Sequence, residues 1–74
     1  MKTAEFAVLR VLASSEPLSA TQIQHEAVLT GWSTRNALGQ LMARGLVVPT
    51  LNRSRWQISA RGRSALAAKR RQFG

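Results

Sequence analysis

Three polar side chains within residues 33–47 have the types and spacing needed to hydrogen-bond to the edges of nucleic-acid bases. Arg35, Asn36 and Gln40 fall on one side of this segment if it forms a helix that turns about 100° per residue. An Asn or Gln amide pairs bidentately with adenine, and an Arg guanidinium pairs with guanine. A solvated helix face more often carries Glu and Lys, so we interpret these three residues as a base-reading set.

The remainder of that helix face suits close approach to a duplex. Gly39 and Ala43 are small, and the face has no carboxylate that would repel phosphate. A bare helix is about 10–12 Å across and the major groove of B-form DNA is about 12 Å wide, so one helix fits the groove. Ser33 is expected to cap this helix at its N-terminus, where the positive end of the helix dipole favours contact with a phosphate.

The charge of the chain is positive and unevenly distributed. The formal net charge is +8. The three acidic residues, Glu5, Glu16 and Glu26, all precede residue 27, whereas residues 27–74 carry nine basic residues and no acid. Nine of the eleven basic residues are arginine, whose planar guanidinium binds phosphate bidentately. This distribution indicates a polyanion as partner, with a merely solubilising surface charge as the alternative.

A second basic group lies in a predicted hairpin. Residues 46–51 and 55–58 have the apolar and alternating patterns of two short strands joined by a polar turn. Arg53, Ser54 and Arg55 lie in or beside that turn, where we expect them to contact phosphates or the minor groove. The alternative is a solvated turn that happens to contain two arginines.

Four helices are predicted to position these residues. The spacing of apolar residues predicts helices over about 3–14, 20–29 and 34–44, and Ser59 is expected to cap a fourth helix whose basic end, 69–74, frays. The predicted core consists of apolar residues on the inward sides of these elements, namely Phe6, Val8, Leu9, Leu12, Ile23, Val28, Leu38, Leu41, Val47, Trp56 and Ile58.

Several single residues have local structural interpretations. Ser19 and Gln22 have the spacing of a capping box at the start of the second helix. Trp32 is interpreted as a packing anchor before the third helix, with stacking on a base or sugar as the alternative. Arg44 has two interpretations, a contact to the nucleic acid and a cation at the negative end of the helix dipole. Gly45 is expected to end the third helix as a C′ glycine, and Gly62 to weaken the first turn of the last helix.

The order of the elements and two local motifs resemble the winged helix-turn-helix domains of bacterial MarR-, PadR- and ArsR-like regulators. The first motif, at the end of the third helix, consists of Leu38, Leu41, Gly45, Leu46 and Val47. The second, where the hairpin meets the last helix, consists of Trp56, Ile58, Ser59, Gly62 and Arg63. The resemblance implies a mainly α fold with a small β-hairpin: a three-helix bundle, a two-stranded wing and a C-terminal helix in a single domain, 1–74.

The resemblance also implies a function, which is double-stranded DNA binding by a small transcriptional regulator or a phage- or plasmid-type factor. Helix 34–44 would enter the major groove and hairpin 46–58 would lie on the backbone or in the minor groove. The alternatives are an RNA-binding or ribosome-associated winged helix and a protein-interaction winged helix. The resemblance is compatible with a homodimer. We do not extend the ligand or redox sensing of these regulators to this chain.

The composition argues against several other classes of protein. One histidine, no cysteine and no aspartate leave little machinery for catalysis or metal binding, so we expect neither an enzyme nor a cofactor. No apolar run approaches the roughly 20 residues that span a bilayer, and Glu5 and Arg10 interrupt the apolar stretch that a signal peptide would need. A cytoplasmic location is therefore expected.

Overall fold

Six elements follow one another in the computed structural model, which describes residues 2–14, 17–52 and 54–73, with side chains as far as residue 68. They are α1 (Thr3–Ser14), α2 (Ala20–Ala27), α3 (Gly31–Ala43), β1 (Val47–Pro49), β2 (Trp56–Ile58) and α4 (Ala60–Phe73). The predicted order of three helices, a hairpin and a final helix is therefore confirmed. None of the helices in these described ranges is both long enough and apolar enough to cross a bilayer.

Helix α1 lies at the centre of the fold because it packs against α2, α3, α4 and β2. Its residues Val8, Leu9 and Leu12 are completely buried. The other elements contribute one buried side each, through Ile23, Ala37, Leu38, Leu41, Leu46, Val47, Ile58 and Leu66. Predicted core residues Phe6 and Trp56 are only half-buried and pack at the edge of this cluster. The prediction that Val28 is buried is wrong, because this residue follows the end of α2 and is 88% exposed.

Helix α3 begins three residues earlier than the sequence suggests. Thr30 is extended (φ −74°, ψ 160°) and caps the helix, since its Oγ1 accepts a hydrogen bond from the Ser33 N–H at 3.1 Å. Ser33 therefore lies inside the first turn, and its predicted role as the N-cap is wrong. Thr30 and Ser33 are both N-cap residue types. The sequence favours the later one because glycine has a low helix propensity, whereas Gly31 is the first helical residue.

The capping box of α2 forms as predicted. The Ser19 side chain accepts a hydrogen bond from the Gln22 N–H, and the Gln22 side chain accepts one from the Ser19 N–H at 2.9 Å. At the other end of α2, Val28 takes the left-handed conformation with φ 56°, which is strained for a β-branched residue. This residue turns the chain sharply between α2 and α3.

The two hairpin strands pair antiparallel over three residues each, Val47 with Ile58, Val48 with Gln57 and Pro49 with Trp56, and are shorter than predicted. Trp56 uses both of its backbone groups on the far side of β2, donating to the Leu18 carbonyl at 2.7 Å and accepting from the Leu18 N–H at 3.1 Å. Because these groups point away from β1, the missing N–H of Pro49 leaves no gap in the ladder. Hereafter, residues 47–58 are called the wing.

The junction between α3, the wing and α4 depends on two small residues. Ser59 caps α4, as predicted: its Oγ accepts from the Gly62 N–H at 3.0 Å and donates to the Gly45 carbonyl at 2.7 Å. Gly45 has φ 72° and ends α3 as a left-handed C′ residue, also as predicted. Helix α4 then extends to Phe73, which is longer than the prediction of a frayed end from residue 69.

Gly62 has a larger role than the sequence predicted. A Cβ at this position would collide with the carbonyl oxygen of Leu46 and would lie 2.7 Å from Cγ1 of Ile58. The glycine thus permits α4 to approach the base of the wing directly, at the cost of lower helix propensity in its first turn.

An ion pair joins the first turn of α1 to the end of α3. Nη1 of Arg44 donates to Oε1 of Glu5 at 2.9 Å, and Glu5 is only 1% exposed. The Arg44 side chain is half exposed, so the guanidinium remains partly hydrated while it satisfies a buried carboxylate. The interpretation of Arg44 as a dipole-satisfying cation alone was incomplete, because the two partners are 39 residues apart in sequence.

Replacing Gly62 with alanine should destabilise the fold by about 1–3 kcal/mol, because the backbone of Leu46 cannot move aside without disturbing the wing. Gly39→Ala is the matched control, since a Cβ there meets nothing within 4 Å. That change should raise the free energy of unfolding by roughly 1 kcal/mol through helix propensity. Urea unfolding of both variants measures the difference, and a Gly62→Ala protein as stable as the unaltered chain would contradict the close approach.

Arg44→Ala should lower the free energy of unfolding by about 1–3 kcal/mol, because it leaves the carboxylate of Glu5 buried without its partner. The loss should be smaller than for a fully buried pair, since Arg44 is half exposed. Arg35 is an exposed arginine of α3, so Arg35→Ala should change the free energy of unfolding by no more than about 0.5 kcal/mol. Equal losses in thermal or urea unfolding of the two variants would show that the ion pair contributes nothing.

Candidate nucleic-acid interface

The two sides of α3 differ completely in character. One side is buried against the core through Thr34, Ala37, Leu38 and Leu41. The opposite side is exposed and is called here the open face of α3; it consists of Trp32, Arg35, Asn36, Gly39, Gln40 and Ala43. The structure therefore brings the predicted base-reading residues Arg35, Asn36 and Gln40 together on one exposed surface.

Helical geometry orders the residues across the open face. With about 100° per residue, Trp32 and Ala43 lie almost directly opposite the buried side, and Gly39 and Asn36 lie within about 30° of that line. Arg35 and Gln40 lie about 70° to either side. The middle of the face thus combines one large aromatic ring with small residues, and hydrogen-bonding side chains surround it.

The position of Trp32 contradicts its interpretation as a packing anchor, because the side chain is 75% exposed. The residue is helical rather than part of a turn, since α3 starts at Gly31. Its ring borders a shallow groove between the N-terminal ends of α1 and α3, with Lys2, Ser33 and Asn36 among the other lining residues. The sequence does not reveal this position because Thr30 and Ser33 are both N-cap residue types, and a helix that starts after Ser33 leaves Trp32 outside it.

Ser33 is half-buried at the margin of the open face, about 90° from its middle. Its backbone N–H is bonded to the Thr30 side chain at 3.1 Å. The residue is therefore close to the N-terminal end of α3, beside the groove that Lys2 also lines. Its predicted contact with phosphate stays a prediction.

Asn52 organises the tip of the wing. Its Oδ1 accepts hydrogen bonds from the Ser54 N–H at 3.1 Å, from the Ser54 hydroxyl at 2.8 Å and from the Thr50 hydroxyl at 2.8 Å. Sequence reasoning recognised Asn52 only as a turn residue, although an Asn side chain that bonds to the backbone two residues later is a known turn signal. Ser54 is consequently fixed in place with its hydroxyl proton already donated.

Arg55 extends from the end of the wing turn and is exposed. Its carbonyl accepts a hydrogen bond from the Thr50 N–H at 2.9 Å, which anchors the backbone while the side chain remains in solvent. The predicted partner Arg53 lies outside the described residues. The wing and the open face belong to residues 27–74, a part of the sequence that contains no acidic residue.

None of the acidic residues that the structure describes belongs to the open face or to the wing, although Glu5 lines the groove beside Trp32. Glu5 is buried in the ion pair with Arg44, and Glu26 is exposed on α2. Glu16 lies outside the described residues. The described parts of the open face and the wing therefore present an uninterrupted positive or neutral surface to an approaching polyanion.

Comparison with known proteins gives structural matches only: no family model matches the sequence, and no curated protein sequence matches it significantly. A MarR-family transcriptional regulator from Silicibacter pomeroyi superposes with a TM-score of 0.82 and 27% identity, over 92% of this chain and 49% of that one. A MarR-family protein from Mycobacterium tuberculosis, solved in complex with DNA, gives a TM-score of 0.82 and 28% identity over 92% of this chain and 52% of that one.

A third match shares the fold at lower identity. The Bordetella bronchiseptica protein BpsR, solved in a study of how 6-hydroxynicotinic acid regulates its DNA binding, gives a TM-score of 0.85 and 20% identity. The match covers 51% of the BpsR chain, so this chain spans about half the length of each of the three proteins. Over 92–99% of its own length, the chain has the winged helix-turn-helix fold of MarR-family transcriptional regulators, one of the three groups that its sequence motifs resemble.

Proposed function

We propose that this chain is a double-stranded DNA-binding module of a transcriptional regulator, which places α3 in the major groove and the wing on the adjacent backbone or minor groove. The observation that carries the proposal is the open face of α3, which has hydrogen-bonding side chains and no carboxylate. The similarity to a MarR-family protein solved in complex with DNA supports DNA as the partner.

The dimensions and chemistry of the open face fit a major groove. Gly39 and Ala43 add almost no width to a helix that is already about as broad as the groove, so the backbone can approach the base edges. Asn36 and Gln40 would pair with adenine, and Arg35 with guanine. Because the N-terminal residues of a recognition helix commonly contact bases, Arg35 and Asn36 are in the expected part of α3.

The wing and the first turn of α3 would position the module on the backbone. Arg55 is exposed beside a turn that Asn52 holds in shape, and Arg53 is the second arginine of the predicted phosphate-binding group. Ser54 would join this group only by turning its hydroxyl from Oδ1 of Asn52 to the phosphate, because both its N–H and its hydroxyl are donated to Asn52. Ser33 lies near the N-terminal end of α3, where the helix dipole favours a phosphate. Such contacts fix the orientation of the protein on the duplex and carry no sequence information themselves.

Duplex DNA is favoured over the two other partner classes by the character of α3. The major groove of A-form RNA is too deep and narrow for a helix, so an RNA duplex cannot use the open face in this way. A protein-docking surface would be expected to have more apolar residues at its centre than Trp32 and Ala43 provide. One domain, 1–74, would recognise one half-site, and a homodimer would recognise two on a palindromic operator in the bacterial cytoplasm.

Selection from a random duplex DNA pool, with duplex and hairpin RNA as competitors at fixed salt, tests the function directly. The proposal requires enrichment of a duplex sequence that RNA does not displace. Efficient displacement by either RNA would instead favour the RNA-binding alternative, and the absence of enrichment would contradict sequence-specific recognition.

Arg35→Ala or Gln40→Ala should weaken binding to the selected duplex by about 1–3 kcal/mol and relax the base preference at one position, because each removes a bidentate contact. Arg10→Ala is the matched control, since it removes an exposed arginine from α1, away from the open face. Titrations with the selected duplex and with a scrambled duplex separate the two effects. An equal loss on both duplexes would contradict a base-reading role.

Replacing Arg53 and Arg55 together should weaken binding to all duplexes alike, since phosphate contacts are independent of sequence. The slope of log K against log salt concentration should become shallower by about one for each phosphate contact that is lost. Measuring affinity across a salt series with the double variant and with Arg10→Ala provides the comparison. An unchanged slope in the double variant would remove the wing from the interface.

A further inference from the structure

The middle of the open face is occupied by an exposed tryptophan. Trp32 is 75% exposed, although an indole ring is among the largest apolar surfaces that a side chain can bury. Arg35 and Asn36, the first two predicted base-reading residues, follow within about one helical turn. Tryptophan is enriched at binding interfaces, because its ring combines a large apolar surface with a hydrogen-bonding N–H.

The surroundings of Trp32 limit what the ring can contact. Gly39 and Ala43 lie almost in line with it along the axis of α3, so nothing on the helix prevents the ring from reaching as deep as the base-reading side chains do. The residue is the second of α3, in the N-terminal part from which recognition helices contact bases. If α3 enters a major groove, the ring therefore faces base edges.

The edges exposed in the major groove contain little apolar surface. Thymine presents its C5 methyl there, whereas cytosine has only a hydrogen at C5 and the purines present mainly hydrogen-bonding atoms, so the thymine methyl is the largest apolar group on the major-groove edges. An indole ring packed over a purine or a cytosine would deprive polar atoms of water without replacing their hydrogen bonds, which is unfavourable. Over the thymine methyl, the same ring buries apolar surface on both partners.

We infer that Trp32 is a specificity-determining residue that packs against the C5 methyl of a thymine in the major groove. This inference rests on the proposed DNA-binding function and adds a base preference to it. Stacking between bases is disfavoured because the bases of an intact duplex are already stacked, and Trp32 belongs to a helix that fits the groove without opening it.

The test uses a series of duplexes based on the one selected from the random pool. In each member of the series, one thymidine is replaced by deoxyuridine. This replacement removes only the methyl group and keeps the pairing with adenine and all hydrogen-bonding atoms. For the unaltered protein, affinity should fall about fourfold at one thymine, which is the change expected from one buried methyl group. With Trp32→Ala, the two duplexes should bind equally, and both more weakly than the unaltered complex.

Two further variants test whether the apolar ring itself is responsible for the preference. Trp32→Phe keeps an aromatic ring but lacks the indole N–H, so it should retain most of the preference for thymine. Met42→Ala removes another exposed apolar side chain of α3, about 80° around the helix from Trp32, and should leave the preference intact. Thermal melting checks that each variant is folded. We expect both to fold, because Trp32 and Met42 are exposed and their replacement leaves the core unchanged.

The outcomes distinguish this inference from the function on which it rests. If the unaltered protein selects no duplex, the DNA-binding function itself fails. If it selects a duplex but no deoxyuridine replacement weakens binding, or if the preference survives in Trp32→Ala, the thymine contact is wrong while the function stands. If the folded Met42→Ala variant loses the preference as completely as Trp32→Ala does, the preference does not depend on the Trp32 ring and the inference is contradicted.

Discussion

The packing of α3 against the core decides which of its side chains can meet a partner. Thr34, Leu38 and Leu41 are held on the inner side, and the Thr34 hydroxyl is satisfied by donating to the Thr30 carbonyl at 2.9 Å. A helix of 13 residues with one buried side necessarily presents the opposite side to solvent. The exposed position of Asn36 and Gln40 is therefore a consequence of core packing.

The placement of the wing relative to α3 depends on short-range contacts at the chain reversal. Gly45 ends α3 and reverses the chain direction. At the other end of the wing, Ser59 donates hydrogen bonds to the carbonyls of Gly45 and Leu46, so the two ends of the wing lie side by side. Gly62 then allows α4 to approach this junction. Leu18 adds a pair of backbone hydrogen bonds on the other side of the wing. Together these contacts fix the base of the wing, while its tip extends into solvent.

The sequence predicted the local features well and the long-range ones poorly. Helix α1, the capping box at Ser19 and the left-handed Gly45 follow from spacing and residue type within a few positions. The bond between Glu5 and Arg44 and the pairing of Leu18 with Trp56 join distant parts of the chain, and no local pattern encodes them. The start of α3 was misplaced because two capping residues compete, and that error hid the position of Trp32. The buried side of α3 was unaffected, since its apolar spacing does not depend on where the helix begins.

Contact between the open face of α3 and duplex DNA is the interaction on which the proposed function depends. The most direct measurement is an NMR titration of the isotope-labelled chain with the selected duplex, following backbone and indole N–H signals. We expect the largest shifts at residues 32–43, with further shifts at 54–57, and small ones in the acidic part of the sequence, residues 4–26. Shifts concentrated in α1 and α2, with the signals of Trp32, Asn36 and Gln40 unchanged, would contradict this contact.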